Sequence, residues 1–138
     1  MRFWCNGTEV VYEGEPSRTL LSWLRNDAGI TSVKDGCSGQ AACGACMVEV
    51  DGKPLLSCVT RMDRLEGAHV TTIEGWPEYV RRVLGRAFVD AGAVQCGFCT
   101  PGFLARTKIL LQNNPRPTRE EIVEALSKNV CRCTGFVK

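Results

Sequence analysis

The chain has 138 residues, of which 44% are hydrophobic and 23% charged, and its formal net charge is +2. This composition is typical of a globular protein with one domain of ordinary size or two small ones. No basic block alternates with aromatic residues, and no apolar run approaches the roughly 18 residues of a membrane span. We therefore expect neither nucleic-acid binding nor a membrane segment. The N-terminus lacks the pattern of a secretory signal, and we expect a cytoplasmic protein.

The first half of the chain is predicted to contain short strands and one helix. Two apolar runs, RFWCNG and EVVYEG, are separated by Asn6-Gly7, a dipeptide that predicts a tight hairpin turn. The segment TLLSWLRNDAG has the apolar spacing of an amphipathic helix that stops at Gly29. After a cysteine-rich loop, MVEV, PLLSCVT and HVTTIEG are predicted as strands, and a turn at Asp51-Gly52 joins the first two.

From about Gly75–Pro77 onwards, the hydrophobic period becomes that of helices. The predicted helices are PEYVRRVLGRAFVDAG, PGFLARTKILLQNN, which starts at Pro101, and PRPTREEIVEALSKNV, in which Thr118 and Glu121 form a capping box. These helices are too short to bury a large core alone, so we expect them to pack around something or against the first half. The sequence thus predicts an α+β chain with two domains, residues 1–75 and 76–138.

Nine cysteines distinguish this chain from an ordinary globular domain. An odd number in a chain without a secretory signal argues against a disulfide framework and favours metal ligands or catalytic thiols. Eight of them form two sets of four, one in each half of the chain. The first set is Cys37, Cys43, Cys46 and Cys58, and the second set is Cys96, Cys99, Cys131 and Cys133. We interpret the remaining Cys5 as a small buried hydrophobic residue.

The first set begins in the stretch GCSGQAACGAC, where the spacing is C-x5-C-x2-C. Plant-type [2Fe–2S] ferredoxins use C-x4-C-x2-C and a distant fourth cysteine, so this loop is one residue longer. Small residues let backbone N–H groups approach an anionic cluster, and Gly36, Gly39 and Gly44 permit positive φ. We expect the loop around Gly39–Ala42 to absorb the extra residue as a bulge. A zinc site with four thiolates is the alternative, although such sites usually show two C-x2-C pairs.

The second set comes from the segments QCGFCTPG and NVCRCTG, which supply C-x2-C and C-x-C. The first pair lies just before the helix that starts at Pro101, where the helix N-terminus favours thiolates. The second pair follows the helix that starts at Thr118. A thioredoxin-like dithiol and a zinc site are the alternatives, but no βαβ pattern surrounds CGFC. A Rieske site needs two histidines, and His69 is the single histidine of the sequence.

Taken together, these motifs resemble the iron–sulfur subunit, or the N-terminal iron–sulfur domains, of the molybdenum hydroxylase (xanthine dehydrogenase/aldehyde oxidoreductase) family. The resemblance extends from about Phe3 to Val137. It implies an N-terminal β-grasp (plant-ferredoxin-like) domain, in which the first set binds a [2Fe–2S] cluster. It also implies a C-terminal four-helix-bundle domain, in which the second set binds another. Family members usually continue beyond CRCTGFVK for another turn or more of helix.

The resemblance further implies the function and the partners. The chain would be the electron-transfer subunit of an oxidoreductase, without a substrate site of its own. It would relay electrons from molybdopterin in a large subunit, through the helical-domain cluster and then the β-grasp cluster, to FAD in a medium subunit or to an external acceptor. Gln95 and Cys133 would lie against the pterin. A free-standing ferredoxin-like carrier and a zinc-stabilised interaction module remain as alternatives.

Overall fold

A computed structural model describes residues 1–134 of the chain. Residues 1–75, called the sheet half, form one five-stranded sheet in the order β2-β1-β5-β3-β4. β1 and β5 are parallel, and the other neighbouring strands are antiparallel. The elements of this half are β1 (Arg2–Cys5), β2 (Thr8–Val11), α1 (Leu20–Asn26), β3 (Met47–Val50), β4 (Lys53–Leu56) and β5 (His69–Thr71).

Both predicted hairpin turns are confirmed. Asn6 and Gly7 have φ values of 51° and 83°, and Asp51 and Gly52 have values of 50° and 77°. Two consecutive left-handed residues are the signature of a type I′ turn, whose twist matches that of the flanking strands. These two turns therefore fix the pairing of β1 with β2 and of β3 with β4.

The core of the sheet half lies between the sheet and α1. Thr19 caps this helix, because its side-chain oxygen accepts a hydrogen bond of 3.2 Å from the Ser22 N–H. Beyond the helix, Gly29 has a φ of +67° and turns the chain, as predicted. The fully buried side chains of this core include Phe3, Leu20, Leu24, Val48 and Val70.

Two predicted strands are shorter than the sequence suggested. β4 ends at Leu56, and Cys58 lies in the following turn, where the Ser57 hydroxyl donates a hydrogen bond of 2.8 Å to the Cys46 carbonyl. β5 ends at Thr71 and is followed by a 3-10 turn at Ile73–Gly75. Beyond the end of β5, the Thr72 N–H donates to a side chain and not to a neighbouring strand: its acceptor is Asn6 Oδ1, at 2.8 Å.

The remaining described residues, 76–134, form the helical half. It contains α2 (Glu78–Asp90), α3 (Thr100–Asn113) and α4 (Arg119–Leu126). The predicted capping box of α4 is confirmed: the Glu121 N–H donates to Thr118 Oγ1, and the Thr118 N–H donates to Glu121 Oε2. The α+β fold class is confirmed as well. The helix expected at the end of the four-helix bundle lies outside the described residues.

The helices pack against the sheet half, as predicted, and α3 makes this contact. It lies against β3 and β4. Met47, Trp76 and Ala105 form a small second core at the junction. Beside it, Lys108 Nζ lies 2.7 Å from Glu49 Oε2, and the side chains of this pair are only 18% and 12% exposed. No helix of the described part of the chain is long and apolar enough to cross a membrane.

Candidate metal centres

The loop between Cys37 and Cys43 curls through several left-handed residues. Ser38, Gly39 and Ala41 have φ values of 56°, 77° and 58°. Non-glycine residues rarely adopt this region, because it costs about 1 kcal/mol or more for a residue with a Cβ. The tight curl falls in the stretch that was expected to absorb the extra residue.

The glycines of this loop serve two different purposes. Gly39 and Gly44 have positive φ, at +77° and +74°, as predicted. The same prediction is wrong for Gly36, which is not among the residues with positive φ. A Cβ at Gly36 would lie 3.0 Å from Cys43 Sγ and 3.2 Å from the Phe98 ring. Position 36 therefore requires glycine for space and not for backbone conformation.

Backbone N–H groups point at the sulfur atoms of the first set, as the loop composition suggested. The Ala42 N–H donates to Cys37 Sγ at 3.5 Å, and the Ala45 N–H donates to Cys43 Sγ at 3.4 Å. The Ala42 N–H is the main reason that the pKa of Cys37 lies below its usual value. Such donors stabilise a thiolate and therefore favour a metal-bound form.

The four thiols of the first set lie in two pairs. The thiols of Cys37 and Cys43 are neighbours that perturb each other's pKa, and the neighbouring thiol of Cys58 perturbs the pKa of Cys46. Cys46 is 2% exposed, and burial raises the pKa of its thiol to about 11. A neutral thiol is thus favoured at Cys46 until a cation compensates the charge of the thiolate.

The second set is also arranged as two pairs, but it is more open. Cys96 Sγ and Cys133 Sγ lie 3.6 Å apart, and both residues are exposed. Cys99 and Cys131 form the other pair. Cys99 immediately precedes α3, as predicted, and burial is the main reason that the pKa of its thiol is raised to about 11.

Cys131 has the most hydrogen-bonded thiol of the second set. Its Sγ lies 3.1 Å from the Thr134 hydroxyl and accepts from the N–H groups of Cys133 and Thr134, each at 3.4 Å. The hydrogen bond with the Thr134 hydroxyl is the largest cause that lowers the pKa of Cys131, to about 7. The thiolate form of Cys131 is therefore substantially populated near neutral pH.

Pairs of thiols suit a two-iron cluster better than a single metal ion. A tetrahedral zinc site needs four ligands around one point. In a [2Fe–2S] cluster, each of the two irons takes two thiolates. The donor set therefore fits a [2Fe–2S] cluster in each half.

A large apolar space adjoins the second set. Cys99 and Cys131 line a cavity of about 730 Å³ between α2, α3 and α4, together with apolar side chains such as Phe88 and Phe103. The neighbouring Thr100 has a buried hydroxyl without a hydrogen-bond partner among the described residues. The second set is thus less enclosed than the first. The apolar cavity and the Thr100 hydroxyl both lie beside it.

Cys5 and Gln95 stand out in the sequence but belong to neither set of four cysteines. Cys5 is buried in β1 within the core, and burial, assisted by the charge of Glu74, raises the pKa of its thiol to about 11. It joins neither set. Gln95 is exposed and directly precedes Cys96. Its side chain is therefore accessible to a partner.

Two residues that no sequence pattern singled out connect the two sets of cysteines. Lys34 Nζ donates to the carbonyls of Gly97 and Phe98 at 3.5 and 3.4 Å. Asn129 is 1% exposed, and its Nδ2 donates to the Gly44 carbonyl at 3.1 Å. Asn129 lies two positions before the predicted ligand Cys131, which could have drawn attention to it. Its partner Gly44 is 85 positions away in the sequence, so no local pattern could predict the contact.

The comparisons with known families agree with this arrangement. Residues 4–70 match the 2Fe-2S iron-sulfur cluster binding domain, and residues 72–138 match the [2Fe-2S] binding domain. Each matched segment contains one complete set of four cysteines. The fold and the paired thiols therefore define a protein with two [2Fe–2S]-binding parts.

Whole-chain relatives identify the family. The chain is 47% identical to the nicotinate dehydrogenase small FeS subunit of Eubacterium barkeri, over 96% of this chain and 85% of that subunit. It is 45% identical to the aldehyde oxidoreductase of Megalodesulfovibrio gigas, over 95% of this chain but 15% of that longer protein. The solved quinoline 2-oxidoreductase of Pseudomonas putida 86 matches with a TM-score of 0.87 and 40% identity, over 99% of this chain and 85% of that one.

The chain belongs to the iron–sulfur subunits of the molybdenum hydroxylase (xanthine dehydrogenase/aldehyde oxidoreductase) family. This confirms the resemblance of its cysteine motifs. Members of this family serve as electron-transfer subunits of oxidoreductases.

Proposed function

We propose that this chain carries electrons from a molybdopterin-containing large subunit towards FAD in a medium subunit or an external acceptor. The observation that carries the proposal is the arrangement of eight thiols as two sets of two pairs. When bound, the [2Fe–2S] clusters supply the one-electron chemistry. The chain itself holds, spaces and shields them.

In the sheet half, the ligands of the first cluster are Cys37, Cys43, Cys46 and Cys58. The N–H groups of Ala42 and Ala45 donate to two of these sulfurs. Hydrogen bonds to ligand sulfurs offset negative charge and thereby favour the reduced form. The loop conformation thus sets both the position of the first cluster and its readiness to accept an electron.

In the helical half, the ligands of the second cluster are Cys96, Cys99, Cys131 and Cys133. The exposed Cys133 and Gln95 face the pterin of the large subunit in this proposal. Exposed apolar side chains nearby support a partner at this surface, since Phe98 is 45% and Val130 is 51% exposed. Electrons therefore enter at the open set and leave from the enclosed one.

Two further features belong to the same proposal. We place the domain boundary between residues 75 and 76, and the 3-10 turn Ile73–Gly75 and the start of α2 at Glu78 support this choice. A cytoplasmic location fits the nine cysteines without a disulfide role, since thiols stay reduced in that compartment. The substrate is selected in the large subunit.

Single-cysteine variants of the purified complex test the ligand assignment. We expect about four iron and four acid-labile sulfides per chain of the native protein. Cys43→Ser should remove or weaken the sheet-half cluster and slow reoxidation, and Cys99→Ser should stop transfer out of the molybdenum site. Cys5→Ala is the matched control, and it should keep both clusters.

The outcomes separate the proposal from its alternatives. A colourless protein with two zinc ions would identify an interaction module. A brown monomer that purifies without a molybdenum subunit would identify a free-standing carrier. Full turnover of both ligand variants with the native acceptor would contradict the relay.

A further inference from the structure

A short segment of the helical half connects the two sets of cysteines. The Val130 N–H donates a hydrogen bond of 2.9 Å to the carbonyl of Cys43. Val130 immediately precedes Cys131, which belongs to the other set. One hydrogen bond therefore connects the backbone of a ligand in the sheet half to the neighbour of a ligand in the helical half.

Asn129 holds this connection in place. Its Nδ2 donates to the Gly44 carbonyl at 3.1 Å, and its Oδ1 accepts from Arg106 Nε at 3.3 Å. Its backbone N–H donates to the Leu126 carbonyl at the end of α4. The side chain thus ties together the cysteine loop of the sheet half, α3 and the end of α4.

The packing around Asn129 leaves no room for displacement. A Cβ at Gly44 would lie 2.6 Å from Asn129 Nδ2 and 3.0 Å from its Cα. A Cβ at Gly102 would lie 2.5 Å from the Gly44 carbonyl oxygen. Two glycines are therefore required where these segments meet, and a closely packed buried amide of this kind specifies one arrangement.

We propose that Asn129 is a positioning residue for electron transfer between the two clusters, with the Val130–Cys43 hydrogen bond as part of the route. This inference rests on the proposed function. In the transfer, one electron leaves the reduced cluster at the second set and reduces the oxidised cluster at the first set, with no bond broken and no proton moved. Tunnelling falls exponentially with distance and is faster through bonds than through gaps. The separation that Asn129 fixes therefore governs the rate.

The test is Asn129→Leu in the assembled complex, because leucine has a similar size and lacks both polar contacts. Rapid-freeze electron paramagnetic resonance measures the rate of transfer between the clusters, and a redox titration measures the potential of each cluster. We expect the rate to fall roughly tenfold, which is less than the roughly 100-fold that a misplacement of about 1 Å can cost a bond-making reaction. Both potentials and the iron content should stay near the native values. Amide exchange at Val130 should become about tenfold faster.

Asn26→Leu is the matched control, since Asn26 is an exposed residue of α1 whose side-chain amide donates to Ser22 within the same helix. It should leave the rate and the exchange at Val130 unchanged. Arg106→Leu is the second variant, because it removes one partner of Asn129 and keeps the amide itself. We expect it to slow the transfer less than Asn129→Leu does.

Three results would overturn the inference. One is a native transfer rate in Asn129→Leu together with fast exchange at Val130. Another is a slower rate that the altered potentials fully explain. The third is loss of the clusters from both Asn129→Leu and Arg106→Leu, since Asn129 would then be needed for assembly and not for positioning. A native protein without [2Fe–2S] signals would instead refute the proposed function.

Discussion

The two halves of this chain are stabilised in different ways. The sheet half has a core of its own, in which Phe3, Leu20 and Leu24 are fully buried. In the helical half, α2 and α4 contain no buried residues among those described, and the buried residues of α3 include Ala105 and Ile109. Burial of apolar side chains is the main force in folding, so the sheet half can depend on its own sequence. The stability of the helical half depends on the packing of α3 against the sheet and on the group that binds between its helices.

Removal of iron should give the largest difference between the halves. Metal binding contributes directly to folding where the protein part of a core is small. We expect amides of α2 and α4 to exchange on the order of 1,000-fold faster in the apoprotein, and those of β1 and α1 less than about tenfold faster. Hydrogen exchange read by mass spectrometry measures both. An equal acceleration in the two halves would show that the helices do not depend on their cluster.

Breaking the Lys108–Glu49 pair should have the next largest effect. Glu49→Leu removes the charged partner of the part-buried Lys108, whose Nζ keeps a hydrogen bond of 3.0 Å to Gln112 Oε1. We therefore expect a loss of about 2–3 kcal/mol in the free energy of unfolding, as for a hydrogen bond to a charged group. The double variant Glu49→Leu/Lys108→Met should recover most of it, because it leaves no unpaired charge. Urea unfolding of the holoprotein is the measurement.

A surface pair provides the control for this prediction. Arg2 and Glu9 lie 3.7 Å apart, and their side chains are 68% and 50% exposed. Glu9→Leu should cost less than about 1 kcal/mol. Similar losses at both pairs would mean that the junction between the halves contributes no more than the surface does.

Two glycine-to-alanine changes in neighbouring helices should have opposite signs. Gly102→Ala places a Cβ 2.5 Å from the Gly44 carbonyl oxygen, and we expect it to cost about 2 kcal/mol. Gly85→Ala in α2 meets nothing within 4 Å, and it should stabilise by about 0.5–1 kcal/mol. Thermal unfolding compares the two variants. A stabilising Gly102→Ala would contradict the close contact of α3 with the cysteine loop.

The smallest effect should come from the capping box of α4. Thr118→Ala removes the acceptor of the Glu121 N–H, and this should cost about 1 kcal/mol. Thr107→Ala is the control, because the Thr107 hydroxyl donates to the Phe103 carbonyl within α3 and caps no helix end. The melting temperatures of the two variants should therefore differ. If Thr107→Ala lost as much stability, capping would not be the cause.

The sequence predicted those features that depend on neighbouring residues. The turns at Asn6-Gly7 and Asp51-Gly52 and the cap at Thr118 follow from local chemistry, and the structure contains all three. Cysteine spacing likewise divided eight cysteines into two sets, and their role as cluster ligands stays a prediction. Local patterns give less information where distant segments meet. They could not show that Gly36 makes room for Phe98, or that Asn129 contacts Gly44.

The way α3 packs against the sheet half has a consequence for the rate of electron transfer. The helix α3 begins directly after Cys99 and contacts Gly44 of the first cysteine-rich loop through Gly102. Lys108 of the same helix forms an ion pair with Glu49 of β3. We therefore expect the distance between the two clusters to stay constant during electron transfer, because the two halves do not move relative to each other. Carriers that swing between partners slow down in viscous solution. The internal step of this chain should keep its rate in glycerol, even where docking to the other subunits does not.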